Sequence, residues 1–473
     1  MFTKSISHFP GKRRRYVCPV DFLSILGYLL IAERFTCLEQ PRIRKRDMNI
    51  IVRHTKELRG QLLIPGSKSH TIRALVIGAL ADGVSIIDNP LDSADTRAAL
   101  NACENLGADI EISEDRWIIT GFGGIPSRPK SGLIYLANSG TSLNLTCGVA
   151  SLGNFEIILD GDESLRSRPV QPLIDALMQL GAEAVSMRGN GNPPVRIKGP
   201  IRGGKTTVNG ISSQFVSSLL ISTPLTKNDT EISVINLHES PYVEMTLKWL
   251  DCLGIKYEAD PDFTRFYIPG KQRYKAFEKT IPADWSTATF PFVAAAITKS
   301  DVLIAGLDIN DVQGDKRIID YLKIMGAHIS MENSGIRVIG DKLCGATIDL
   351  NFTPDALPAL AVLGCAAEGE TRLVNVAQAR IKETDRIRVM AEELSKMGAD
   401  IKELEDGLVV RKSALKGTLV DGHYDHRVVM ALALAGLIAE GTTIVTTAES
   451  AGVTFPGFVQ MMRTLGANIT TEE

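Results

Sequence analysis

NACENLGADI (residues 101–110), DALMQLGAEA (175–184), WLDCLGIKY (249–257), YLKIMGAHI (321–329), ELSKMGADI (393–401) and MRTLGANI (462–469) are six renderings of one pattern. Each is an apolar helical run that stops at Leu-Gly or Met-Gly and passes into β-like residues. A glycine just past the last helical residue suits the left-handed backbone that commonly closes a helix, because it has no Cβ to clash. The six glycines, Gly107, Gly181, Gly254, Gly326, Gly398 and Gly466, recur at intervals of roughly 70 residues. That period exceeds those of solenoids and accommodates a small α/β unit. Chance reuse of a Leu-Gly helix end would not space six copies so evenly.

A second element precedes each of these helices. It is an apolar helix with small residues, a turn with Gly, Asp or Ser, and an alternating strand, as in IGALADGVSIIDN (77–89), LGCAAEGETRLVNV (363–376) and LAGLIAEGTTIVTT (434–447). Each copy reads helix, turn, strand, loop, helix, glycine, strand. Six copies of a mixed α/β unit predict two domains of three copies. A chain of 473 residues, 44% hydrophobic and 23% charged, has the length and composition for such a globular pair.

The net charge of −3 gives no general attraction for nucleic acid, so anion binding has to come from local clusters of Lys and Arg. Seven cysteines (Cys18, Cys37, Cys103, Cys147, Cys252, Cys344 and Cys365) lie scattered, without a C-x-x-C pair or a His at ligand spacing. That argues against zinc and against a disulfide framework, and fits a reducing cytoplasm. Residues 1–47 differ from the rest. Two basic runs, Lys12 to Arg15 and Arg42 to Arg46, flank an apolar stretch, Phe22 to Ala32, that is too short to span a bilayer and has no A-x-A-like site after it. The expectation is an extension outside the fold, as from a start codon assigned too early, with a targeting segment as the alternative.

Three Gly/Ser-rich loops run straight into apolar helices: Pro65-Gly-Ser-Lys-Ser69, Asn138-Ser-Gly-Thr-Ser142 and Ser212-Ser-Gln214. Unpaired N–H groups and a partial positive charge at a helix N-terminus suit a phosphate or carboxylate, although Ser and Thr are also ordinary N-caps. The first loop adds Lys68 and Arg73, and none has the spacing of an ATP-binding loop. In the C-terminal half, Arg380-Ile-Lys-Glu-Thr-Asp-Arg386 reads as the start of a helix, which places Lys382, Glu383 and Arg386 in one neighbourhood, with a plain ion-pair reading beside the functional one. Tyr424-Asp-His-Arg427 opens another apolar helix with an imidazole beside a guanidinium, Asp355 precedes a small-residue helix that it could simply cap, and Arg168-Pro169 stands at a helix entrance.

The strings PGSKS-x-x-x-R, NSGT, RP-x-x-x-L-x-x-AL-x-x-LGA, SSQF, PD, KETDR, DHR and TFP occur in the order found in the EPSP synthase family, the 3-phosphoshikimate 1-carboxyvinyltransferases. The chain resembles that family from about residue 49 to its C-terminus. The resemblance implies a two-domain inside-out α/β barrel of six βαβ-type units. It assigns residues 67–282 to an N-terminal domain on the shikimate phosphate side, and 49–66 plus 283–473 to a C-terminal domain. It implies transfer of the enolpyruvyl group of phosphoenolpyruvate to the 5-hydroxyl of shikimate 3-phosphate with release of phosphate, in chorismate and aromatic amino acid biosynthesis. No cofactor, metal, nucleic acid or membrane is implied, and the expected form is a cytoplasmic monomer.

Residue by residue, the resemblance gives Lys68, Ser69 and Arg73 to shikimate phosphate, with Lys68 also reaching the enolpyruvyl group. It gives Ser212 and Ser213 to the 3-phosphate, Gln214 to the space between the substrates, and Tyr242 to the shikimate moiety. Arg168, Arg386 and Arg427 would hold phosphoenolpyruvate near Gly140; Asp355 and Lys382 would meet the 5-hydroxyl, and Glu383 the methylene carbon. Chemistry agrees: C2 becomes electrophilic only when C3 is protonated, so the site needs an acid and a base at different places. Asp355 and Glu383 are the carboxyls, with Lys68 and His426 as proton partners.

Three positions depart from the family pattern. Asn144 stands at a usual arginine, Glu239 at the serine that meets the 3-phosphate (Ser240 is adjacent), and Val453 at a frequent lysine. Each change removes positive charge or adds negative charge beside anionic ligands. They keep open an enolpyruvyl transferase with another acceptor, and a catalytically weak paralogue that binds anionic metabolites. The sister family acting on UDP-N-acetylglucosamine fits less well, because it has Lys-Asn at Lys68-Ser69 and a catalytic Cys loop not found here.

Overall fold

The structure, a computed structural model, describes residues 48–473; the expectation of an extension over residues 1–47 lies outside the described residues. In the described chain six four-stranded sheets repeat one plan. In one of them the spatial order is Leu133–Tyr135, Glu156–Asp160, Val195–Lys198, Glu183–Ser186, with the first pair parallel and the other two antiparallel. The other five sheets keep the same order and polarity.

Each unit contributes two kinds of helix. Lys68–Leu80, Gly140–Ala150, Ser213–Ser222, Trp285–Ile297, Leu357–Ala366 and His426–Ile438 are apolar nearly all round, and such helices have to be buried. In Trp285–Ile297 every residue is buried. The second kind, Ala94–Asn105, Gln171–Gln179, Ser240–Cys252, Ile318–Ile324, Arg386–Lys396 and Phe458–Thr464, ends at the six glycines. Those glycines have φ between +71° and +114°. At the first, the Gly107 N–H donates to the Glu104 carbonyl and the Ala108 N–H to the Cys103 carbonyl, both at 3.0 Å. This double bond pattern satisfies carbonyls that a helix end would leave orphaned, and all six ends repeat it.

Three strands are borrowed from distant sequence. Asn49–Arg53 fills the sheet of Thr442–Thr446, Arg59–Leu63 the sheet of Asp301–Ala305, and Glu278–Thr280 the sheet of Val84–Asp88. Two hydrophobic cores result. One runs from Ile72 to Ile281, and the other gathers Ile50 to Ile64 with Ala283 to Ile469. Among the described residues, no helix is long and apolar enough to cross a membrane.

One expected element differs. The helix carrying the KETDR string begins at Arg386, because Asp385 is its N-cap and accepts from the Arg388 N–H at 3.1 Å. Lys382 and Glu383 therefore lie on the turn before the helix rather than on its first face, and face different partners.

Candidate active site

All six apolar helices begin at one cavity that is open to solvent. Lys68, Gly140, Ser213, Ser286, Asp355 and His426 bring the six entrances to its wall. Four of the entrances are capped by side chains: Ser139 accepts from Ser142 N–H, Ser212 from Gln214 N–H, Asp284 from Ser286 and Thr287 N–H, and Asp425 from Arg427 N–H. Asp284 also accepts the Lys68 N–H at 3.0 Å, tying two entrances together. Convergent helix N-termini favour anions through aligned dipoles and N–H groups.

Fourteen of the fifteen residues singled out in the sequence line this cavity; Arg386 lies behind it. Arg73 is buried, and its guanidinium bonds Thr246, Ser217 and the carbonyls of Ser69 and Tyr242 rather than a carboxylate. Burial pulls its pKa down to about 10, so it remains a cation at neutral pH. The other cations are paired. Lys68 Nζ lies 3.0 Å from Asp95, Arg168 Nη1 3.4 Å from Glu383, and Arg427 Nη2 3.5 Å from Asp355. Arg386 meets three carboxylates, Asp355 at 2.7 Å, Glu383 at 2.6 Å and Asp425 at 2.7 Å. Gly140 allows Arg168 its position, since a Cβ there would sit 2.9 Å from Arg168 Nη1.

The two expected catalytic carboxyls are held ionised. Burial alone would raise Asp355, but Arg427, Arg386 and Lys382 more than reverse this and depress its pKa. Burial likewise opposes the charge on Glu383, and Arg386 and Arg168 hold it well below the usual range. Burial drives His426 the other way, to a pKa well below that of a free imidazole, and its Nε2 has no hydrogen-bond partner in the described residues. Asp355 makes no cap; it sits in the 3-10 turn Pro354–Ala356 with its carboxylate turned to the two arginines. Tyr242 donates its hydroxyl to Asp315 at 2.8 Å.

The departures resolve individually. Glu239 is buried and accepts from Lys382 Nζ and, at 2.9 Å, from Ser213 Oγ. Asn144 donates to Gln214 Oε1 at 2.7 Å and leaves its own buried Oδ1 without a partner among the described residues. Val453 ends the 3-10 turn Ala448–Val453 and stays off the cavity wall. Sequence reading passed over Asp95, Asp284, Gln378 and, behind the wall, Asp425. Asp284 and Asp425 each carry the one signal available, an Asp directly before an apolar helical run. Gln378 has no such signal; it lines the cavity with an Oε1 that has no partner among the described residues, while its amide donates to Asn351 O at 3.0 Å.

A repeated α/β frame that aims six helix N-termini and five cationic side chains at one cavity, with the ionised Asp355 and Glu383 among its carboxylates, defines a site for small anions that also holds groups able to carry protons. The family model of EPSP synthase (3-phosphoshikimate 1-carboxyvinyltransferase) matches residues 52–462, and the chain belongs to that family. It is 52% identical over 414 residues to a 3-phosphoshikimate 1-carboxyvinyltransferase of Acetivibrio thermocellus, covering 88% of this chain and 97% of the relative. To that of Ruminiclostridium cellulolyticum it is 48% identical over 413 residues, covering 87% and 97%. Its fold is similar to an EPSP synthase structure from Acinetobacter baumannii, with a TM-score of 0.76 and 28% identity over 90% of this chain and 100% of the other.

Proposed function

We propose that this chain is an enolpyruvyl transferase that joins phosphoenolpyruvate to the 5-hydroxyl of shikimate 3-phosphate and releases phosphate. The observation that carries this reading is the convergence of the expected residues on one cavity with Asp355 and Glu383 both ionised. In this reading Asp355 takes the proton of the 5-hydroxyl as its oxygen bonds to C2, while Lys68 supplies a proton to C3. Loss of phosphate from C2 then needs a C3 proton taken back, and in this reading Glu383 takes it, beside the neutral His426. Arg168, Arg386 and Arg427 would hold phosphate and carboxylate oxygens throughout, with Arg73, Ser69, Ser212, Ser213, Gln214, Tyr242 and Lys382 on the acceptor side.

The division at 67–282 and 49–66 plus 283–473 belongs to the same proposal, and the two cores support it. The setting, a monomer in a reducing cytoplasm that works without a cofactor, is part of the same proposal.

Phosphate release from the two substrates tests the reading. Glu383→Gln and Asp355→Asn should each lower kcat by about 10²- to 10⁴-fold, the usual worth of a positioned acid or base. Binding of shikimate 3-phosphate without turnover in the unaltered protein would instead favour a metabolite-binding paralogue. Turnover only with a different acceptor would leave the reaction type and change the substrate.

A further inference from the structure

Glu239 is out of place on three counts. Its backbone is left-handed, with φ of +57°, a region that a long side chain seldom adopts. Although it is the N-cap of helix Ser240–Cys252, its side chain caps nothing. Instead its buried carboxylate has one oxygen on Ser213 Oγ, at 2.9 Å, and the other on Lys382 Nζ. A residue held in a strained conformation persists because its surroundings fix it, and strain of this kind gathers at ligand clamps. The two donors it occupies, a hydroxyl and an ammonium, are those that the oxygens of a phosphate monoester would use.

The pair also joins the two cores, since Ser213 and Glu239 belong to the stretch packed on Ile72 to Ile281 and Lys382 to the stretch packed on Ala283 to Ile469. Burial disfavours the Lys382 ammonium, yet Glu239 and Asp355 together hold its pKa above the ordinary lysine value. The carboxylate thus keeps the cation charged and satisfied at the same time.

We infer that Glu239 sets the acceptor affinity of this site by acting as a built-in stand-in for the acceptor's phosphate. Binding is then an exchange, in which the phosphate takes Ser213 and Lys382, an ammonium that the resemblance gave to the 5-hydroxyl, and Glu239 gives them up. This rests on the proposed acceptor side of the cavity. An acceptor that meets its donors free in only a tenth of the molecules binds about tenfold more weakly than to a site left open.

The test compares the unaltered protein with Glu239→Gln, which keeps the shape and loses the charge, and Glu239→Gly, which suits the positive φ and so preserves the helix start if the first variant misfolds. Isothermal titration with shikimate 3-phosphate and, separately, with inorganic phosphate is combined with steady-state kinetics. Both variants should bind either ligand about tenfold more tightly, with KM for shikimate 3-phosphate falling far more than KM for phosphoenolpyruvate. If no form binds shikimate 3-phosphate but the variants bind inorganic phosphate more tightly, the inference stands and the proposed acceptor falls. Variants that bind both ligands no better than the unaltered protein would overturn the inference.

Discussion

Asp425 is the first of three letters, DHR, whose other two drew the attention in the sequence. In the fold it carries two loads: Oδ1 accepts the Arg427 N–H at 2.8 Å, and Oδ2 accepts Arg386 Nε at 2.7 Å. The cap was legible, because it is local. The second partner stands 39 residues away, and no pattern in the chain joins them. Lys382 teaches the same lesson, since a helical reading grouped it with Glu383 and Arg386 and the turn before Asp385 delivers it to Glu239. Asp425→Asn leaves a fully buried guanidinium short of one compensating charge, and breaking such a pair typically costs about 3–5 kcal/mol. Asp385→Asn, at a partly exposed pair with Arg380, should cost no more than about 1 kcal/mol. Urea unfolding of the two variants distinguishes them, and equal losses would contradict the account.

The helix ends were the most legible features of the chain, because each is decided within five residues. An apolar run, a Leu or Met and a glycine are enough, and the six left-handed glycines with their paired carbonyls follow. The start of the KETDR helix was less legible, since Lys382 to Asp385 have no strong preference against helix and only the Asp385 cap fixes the boundary. Replacing these glycines separates conformational strain from crowding. At Gly254, with φ of +71°, an added Cβ would meet nothing within 4 Å, so Gly254→Ala should cost only the left-handed strain of about 1–2 kcal/mol. At Gly326, a Cβ would lie 2.8 Å from the Lys342 carbonyl oxygen, so Gly326→Ala should cost distinctly more. Thermal melts of the pair decide it, and a larger loss at Gly254 would refute the assignment.

Across the molecule, six units were readable from their period, but the strands that change places were not. Asn49–Arg53 pairs with Thr442–Thr446 and Ile469–Glu472, partners about 400 residues distant that only the family resemblance pointed to. Nor did the sequence reveal the balance of charge. It pointed to local clusters of Lys and Arg, and the fold sets a carboxylate against nearly every cation of the site. That balance has a consequence for stability against pH. Burial, reinforced by Asp355, raises Asp315 to about 7, against about 3.9 for an unfolded Asp. The native state thus holds a proton that the unfolded chain lacks between those values, and Asp315 adds stability as pH falls from 7 to 4. His426 acts in the opposite sense. Its depressed pKa keeps it neutral in the fold, so below about 6.5 the unfolded chain gains a proton that the native state refuses, and stability is lost. Asp355 and Glu383, both depressed, contribute above the ordinary carboxyl range and lose that contribution only as pH falls below about 4. The urea midpoint should therefore stay nearly level from pH 7 to about 4.5 and drop steeply below it. Asp315→Asn removes the rising arm and leaves that of His426, so the midpoint of this variant should begin to fall near pH 6.5; a profile parallel to that of the unaltered protein would refute the opposition of the two groups.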